Sequence, residues 1–247
     1  MTKQYKELVH KFTDTENPVW KCPACGMPTL TIVRPSFFEM DNAESRKWIA
    51  QDGSFHPYDL SGGSFSTLLQ CRAPHCKEVV ACSGKIDRDI DYRAGENDED
   101  LNIIRFTPTH FTPPLRPIHI PEECEGVILE PLLDSFTVVP GCASAAANLL
   151  RIAVEKMLDV LNVKAMRNLH DRIICLKKTE PEKAELLMSI KHLGNTGSHE
   201  YGKVDPCDVL DGYHIFEKIL KQMYPEQEVD LSMQKSQSLT AKYGPKP

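Results

Sequence analysis

From Pro140 onward the apolar positions recur with a helical period. Ala146, Leu150, Val154, Met157 and Leu161 fall four and three apart and predict one long amphipathic helix. Leu169, Ile173 and Leu176 mark a second, and Leu186, Ile190 and Leu193 a third, preceded by Thr179-Glu180-Pro181. Asp205-Pro206 offers an N-cap and a first-turn proline, after which Val209, Tyr213, Phe216, Leu220 and Met223 line one face. A further helix is predicted from Pro121 towards Phe136, with Glu122 and Glu123 suited to the positive end of its dipole. Residues 121–224 therefore read as a bundle of about five helices, and residues 225–247, polar and aperiodic, as a flexible tail.

Ahead of the bundle the apolar runs are short and β-branched. Thr29–Val33, Phe65–Leu69, Glu78–Cys82 and Asn102–Phe106 read as strands. Residues 1–16 suit a short helix or an extended lead-in, residues 41–51 a short helix, residues 52–64 a Gly/Ser/Pro loop, and Glu96–Asp100 an acidic solvated loop. Residues 107–121 hold five prolines, which exclude a regular helix or a central strand and mark a domain boundary after residue 120. The expected fold class is α+β, a β domain over 1–120 followed by an all-α bundle over 121–224.

Composition narrows the picture little; charge and cysteines narrow it more. No run approaches the about 18 consecutive apolar residues of a membrane span, and the N-terminus lacks the apolar stretch of a signal peptide. A cytoplasmic location and no membrane partner are expected. Residues 1–139 carry 14 basic and 21 acidic side chains, net −7, whereas residues 140–247 come to +1. So acidic an N-terminal half argues against broad wrapping of nucleic acid, where phosphate neutralisation dominates affinity. A local basic site in the second half stays open.

Nine cysteines, an odd number, argue against a closed disulfide framework and for a metal-binding subset. Cys22-Pro23-Ala24-Cys25-Gly26 is a knuckle in which a tight turn points two thiolates at one ion. Cys71-Arg72-Ala73-Pro74-His75-Cys76 is a looser second pair. Each pair lies beside a predicted strand, and strand, knuckle, long insertion, strand, knuckle is the layout of a zinc ribbon. Cys22, Cys25, Cys71 and Cys76 are the expected ligands of one structural Zn²⁺, with His75 or Cys82 as possible replacements for one of them. A thioredoxin-like redox pair, suggested by Trp20 near Cys-Pro-Ala-Cys, lacks a surrounding βαβ pattern and leaves the second pair unexplained.

The other chemistry-bearing stretch is Ser189–Glu200, SIKHLGNTGSHE. Its Gly194-Asn195 reads as the end of a helix, since both residues tolerate a left-handed backbone. A break there would bring His199 together with Lys191, His192 and Asn195. Arg151 and Glu155 share a face of the preceding long helix, four residues apart.

These pieces, Arg151-x-x-x-Glu155 in an Ala-rich helix and then Leu193-Gly194-Asn195-x-x-x-His199, with a last helix closing near Tyr224, resemble the bacterial family called domain of unknown function 4145. The resemblance covers about residues 121–224. That family in turn looks like a branch of the HEPN superfamily of helical bundles found in prokaryotic conflict systems. The resemblance implies a HEPN-like bundle, a homodimer, and in many members a metal-independent ribonuclease built on an Arg and a His. Here Lys191 stands for the cation, with seven residues between it and His199, and no Arg directly precedes Asn195.

On that reading His199 acts as acid or base on RNA, Lys191 and Asn195 stabilise the phosphorane, and Arg151 and Glu155 orient the site. The opposed reading makes Arg151, Glu155, Asn195 and His199 a polar network that locks the bundle. The protein is then a zinc-binding adaptor or sensor for a protein or nucleic-acid partner, within a defence or restriction system. No phosphate-binding glycine loop, paired-carboxylate nuclease signature or nucleophile elbow is present.

Overall fold

The computed structural model describes Leu8 and residues 11–52, 62–90, 102–199, 202–225 and 231–244. The expectations for residues 1–7, for most of the loop at 52–64 and for the acidic loop at 96–100 lie outside these residues. The architecture is α+β. An antiparallel six-stranded sheet contains β1 (Val19–Trp20), β2 (Leu30–Ile32), β3 (Phe38–Asp41), β4 (Gly63–Cys71), β5 (Val79–Ile90) and β6 (Asn102–Thr112). A short helix, α1 (Ala43–Asp52), follows β3. The helical half comprises α2 (Gly126–Val138), α3 (Ala143–Val160), α4 (Leu169–Leu176), α5 (Pro181–His199), α6 (Pro206–Met223) and α7 (Leu231–Tyr243).

The strand order is β1-β2-β4-β5-β6, with β3 pairing with the first half of β4 while β2 pairs with its last residues. Period two decides the faces. On β4, Phe65, Thr67, Leu69 and Cys71 are buried and Ser64, Ser66 and Leu68 exposed. The sheet curls, so that Trp20 of β1 meets Phe111 of β6 edge to face at 5.9 Å. Inside the curl Phe12, Phe37, Phe65 and Phe106 pack ring to ring, with centroids 4.9 to 6.3 Å apart. Phe12 is tied there by a backbone bridge to Phe106.

Strand β6 runs further than its prolines suggest. Pro108 sits on an edge strand, opposite Gly84, where the register shifts between Ser83 and Gly84. A Cβ on Gly84 would lie 2.1 Å from the Thr107 carbonyl oxygen, so the glycine makes room for the irregularity that accepts a proline.

The helical core is built by Leu150, Val154, Met157, Leu187, Ile190, Tyr213 and Phe216, all fully buried. Asp205 caps α6 as its sequence promises, accepting a hydrogen bond from the Cys207 N–H at 2.7 Å, with Pro206 at the helix start. Helix α2 starts at Gly126 rather than at Pro121, because the Cys124 N–H closes a turn on the Pro121 carbonyl at 3.1 Å. The tail expected over 225–247 contains α7.

The largest departure is α5. The predicted break at Gly194-Asn195 is absent, and the helix continues to His199. Both of its glycines face α3. A Cβ at Gly194 would meet the Arg151 Cβ at 2.4 Å and the Ala147 carbonyl oxygen at 2.8 Å; one at Gly197 would meet the Ser144 carbonyl oxygen at 2.4 Å. These residues are glycine because two helix backbones nearly touch there, not because the chain turns.

The two halves share one continuous buried apolar cluster. The His119 backbone N–H donates to Glu217 of α6 at 3.1 Å, and the Tyr224 hydroxyl donates to the Glu125 carboxylate. No described helix is long and apolar enough to cross a membrane.

Candidate functional site

Both cysteine knuckles are set by backbone turns at the end of the β2–β4 pair. In the first, the Cys22 N–H donates to the Met27 carbonyl and the Gly26 N–H to the Cys22 carbonyl, both at 2.9 Å, with Gly26 at φ +70°. In the second, the Cys71 N–H donates to the Glu78 carbonyl at 2.8 Å and the Cys76 N–H to the Ala73 carbonyl at 3.2 Å. Leu30 pairs directly with Cys71, and the Arg72 N–H reaches the Thr29 carbonyl at 2.9 Å, so the strand register sets one knuckle against the other.

The four Sγ atoms of Cys22, Cys25, Cys71 and Cys76 lie within 4.8 Å of one another. Cys22 to Cys76 and Cys25 to Cys71 are each 3.7 Å. That is far beyond a disulfide bond of about 2.05 Å. It matches the edge of a tetrahedron with metal–sulfur bonds of about 2.3 Å, which is about 3.8 Å. The set therefore fits a tetrahedral tetrathiolate ion. Among the described residues it is the one such group of His, Cys, Asp and Glu, and neither His75 nor Cys82 belongs to it. His75 is exposed, while Cys82 is buried on β5, where burial pushes its thiol up to about 12.

Thr29, which the sequence reading did not single out, places its hydroxyl 3.1 Å from the Cys71 Sγ. That hydrogen bond is the main reason the Cys71 thiol drops to about 6. Burial instead drives Cys22 up to about 12. Four thiols gathered this closely fit a bound cation, since several thiolates together repel one another without one.

The second candidate constellation lies along the seam between α3 and α5. Arg151 donates from Nη1 to Glu155 Oε1 at 2.5 Å and from Nε to Asn148 Oδ1 at 3.3 Å. Ser198 donates to the same Asn148 oxygen at 2.8 Å and stands 3.0 Å from the Gly194 carbonyl. The structure thus brings Arg151 and Glu155 together and joins them through Asn148 to α5.

Lys191 and Asn195 are half-buried on α5, one turn apart, and His192 is exposed. Among the described residues, neither Lys191 nor Asn195 joins this network through its side chain. His199 ends the helix in the same i, i+4 row, and its side chain lies outside the described residues. Asn148 and Ser198 were missed by sequence reasoning. Asn148 could have been found one turn before Arg151; Ser198 joins only once α3 and α5 are packed.

A tetrathiolate cluster on a curled antiparallel sheet, joined to a helical bundle, defines an α+β protein with a candidate metal centre. Residues 136–242 match the family model described as Domain of unknown function (DUF4145), and residues 10–111 that described as Domain of unknown function (DUF8608). The helical half is therefore similar to the first family and the sheet to the second. No curated protein and no solved structure matches the chain.

Proposed function

We propose that the protein is a non-catalytic adaptor or sensor of a prokaryotic conflict system. On this reading Cys22, Cys25, Cys71 and Cys76 hold a structural Zn²⁺ and the helical bundle, HEPN-like, presents the partner-binding surface. One observation carries it: Arg151 is engaged with Glu155 and Asn148, and Asn148 in turn with Ser198 of α5, as a polar network that locks the bundle would be. A ribonuclease needs a free cation and a proton-transfer group facing one cleft. Arg151, Glu155, Asn148 and Ser198 satisfy one another within the seam between α3 and α5 instead. The acidic first half favours a protein partner over bare nucleic acid.

The opposite reading, a metal-independent endoribonuclease using His199 with Lys191 and Asn195, makes a clear counter-claim. Wild type and His199→Ala are assayed side by side for RNA cleavage in EDTA and for melting temperature. The adaptor reading expects no cleavage by either protein. Cleavage leaving 2′,3′-cyclic phosphate ends, reduced about 10²–10⁴-fold in a folded His199→Ala, would overturn it.

A further inference from the structure

We propose that a cavity beside β1, next to the cleft that borders Cys22 and Cys25 but lined by none of the cluster cysteines, binds a small organic carboxylate. The cavity measures about 370 Å³ and is lined by Leu8, Val19, Trp20, Pro28, Leu115 and Pro117, with Lys21 and Arg116 completing its wall. Sites for small ligands begin at about 300 Å³ and pair an apolar lining with a few convergent polar groups. Here the apolar lining is continuous and both charged residues are cations. Among the described residues neither cation is engaged in an ion pair.

Trp20 gives the cavity its aromatic wall. Trp20 is 2% exposed, and its indole N–H has no hydrogen-bond partner among the described residues. Its ring is held edge-on by Phe12 and Phe111, at 6.1 and 5.9 Å, so the packing gives it little freedom to seek one. Buried indole donors almost always have partners, so the Trp20 ring beside this cavity is an environment that binding would perturb.

Charge decides the class of ligand. Lys21 and Arg116 also border the adjoining cleft of about 540 Å³, which contains Glu122 and Glu217. The Glu217 carboxylate is already taken by the His119 N–H and by Lys221 at 3.0 Å, and Glu122 lines only that second cleft. Cys22 and Cys25 likewise line only the second cleft, so within the first cavity Lys21 and Arg116 meet no anionic lining residue and can take an outside anion. A planar carboxylate suits the guanidinium fork, while an apolar body fills the space against Trp20 and Leu115.

The probe is 4-phenoxybutyrate, which has an aryl body, an ether oxygen and a carboxylate; its primary amide is the neutral arm. Binding to the full chain is measured by calorimetry and by the indole N–H resonance of Trp20, identified as the one that persists in Trp48→Phe. The acid is expected to saturate in the millimolar range or below and to shift the Trp20 resonance. The amide should bind roughly tenfold more weakly or worse. Lys21→Gln with Arg116→Gln, both exposed positions, should bring the acid down to the level of the amide without changing the melting temperature. No saturable binding of the acid, an unmoved Trp20 resonance, or equal affinity for acid and amide would each overturn the proposal.

Discussion

At the scale of single residues, the helical half is most sensitive where a side chain would have no room. In an open helix, Gly→Ala gains about 1 kcal/mol of helix propensity. At Gly194 the added methyl would lie 2.4 Å from the Arg151 Cβ and 2.8 Å from a carbonyl oxygen, both on fixed backbone or its first carbon. Gly194→Ala is therefore expected to destabilise by about 1–3 kcal/mol, as overpacking does. Gly126, with nothing within 4 Å of its Cβ position, provides the opposite sign: Gly126→Ala should be neutral or stabilise by about 0.4–1 kcal/mol. Urea unfolding of the two variants checks both. A second buried position works through hydrogen bonding. Ser135 donates to the Ala146 carbonyl at 2.7 Å, so the Tyr213 hydroxyl, 2.6 Å away, is the donor to Ser135. Burial raises the Tyr213 hydroxyl above its ordinary range and keeps that proton in place. Ser135→Ala strands the tyrosine and should cost about 1–3 kcal/mol, whereas Tyr213→Phe leaves the Ser135 bond intact and should cost about 1 kcal/mol. Equal losses in the two variants would contradict this donor assignment.

At the scale of elements, what the sequence makes legible depends on whether the deciding contact is local. The cysteine knuckles and the Asp205-Pro206 start of α6 were readable because turn, cap and ligand spacing are settled within a few residues. The end of α5 was not, because Gly194 and Gly197 answer to α3, some fifty residues earlier in the chain. Locally, a glycine that permits close approach and one that ends a helix look the same. Pro108 misled in a similar way: the feature that admits it, the register shift at Ser83 and Gly84, belongs to the neighbouring strand. The junction between the halves yields a pH prediction. Burial pushes the Glu217 carboxyl up, but hydrogen bonds from Lys221 and the His119 N–H, with the Lys221 charge and His214, outweigh it and hold the group below its ordinary value. A depressed carboxyl contributes stability that is complete above its unfolded-state value and is lost as the pH falls through the folded one. Thermal melts from neutral to acidic pH should therefore show wild type losing stability below about pH 4.5, with the gap to Glu217→Gln closing over that range. A gap that stays constant with pH would reject the link.

At the scale of the whole molecule, the question is how far the thiolate cluster supports the rest of the chain. Purified protein is expected to hold one zinc per chain by elemental analysis, lost in Cys22→Ser with Cys25→Ser. The cluster joins β2 to β4 at one end of the sheet, and Cys22 and Cys71 are themselves part of the buried interior. Taking the ion away leaves thiols that must be protonated or repel, and the register that holds Leu30 opposite Cys71 loses its fastening. The helical core has its own supports: Leu150, Met157, Leu187, Ile190, Tyr213 and Phe216 close on one another through α3, α5 and α6, far along the chain from either knuckle. Helix α2 is the exception, since it touches β6 and lies next to Gly141, whose Cβ position is 3.1 Å from the Thr109 carbonyl oxygen. Chelation is therefore expected to unfold the sheet first and to loosen α2, while most of the circular dichroism at 222 nm survives to a second, higher transition. Amide exchange should report the same order, with β2 and β4 exposed on chelation and α3 and α5 still protected. A single cooperative transition that takes sheet and helices together would show instead that the shared apolar cluster makes the two halves one folding unit.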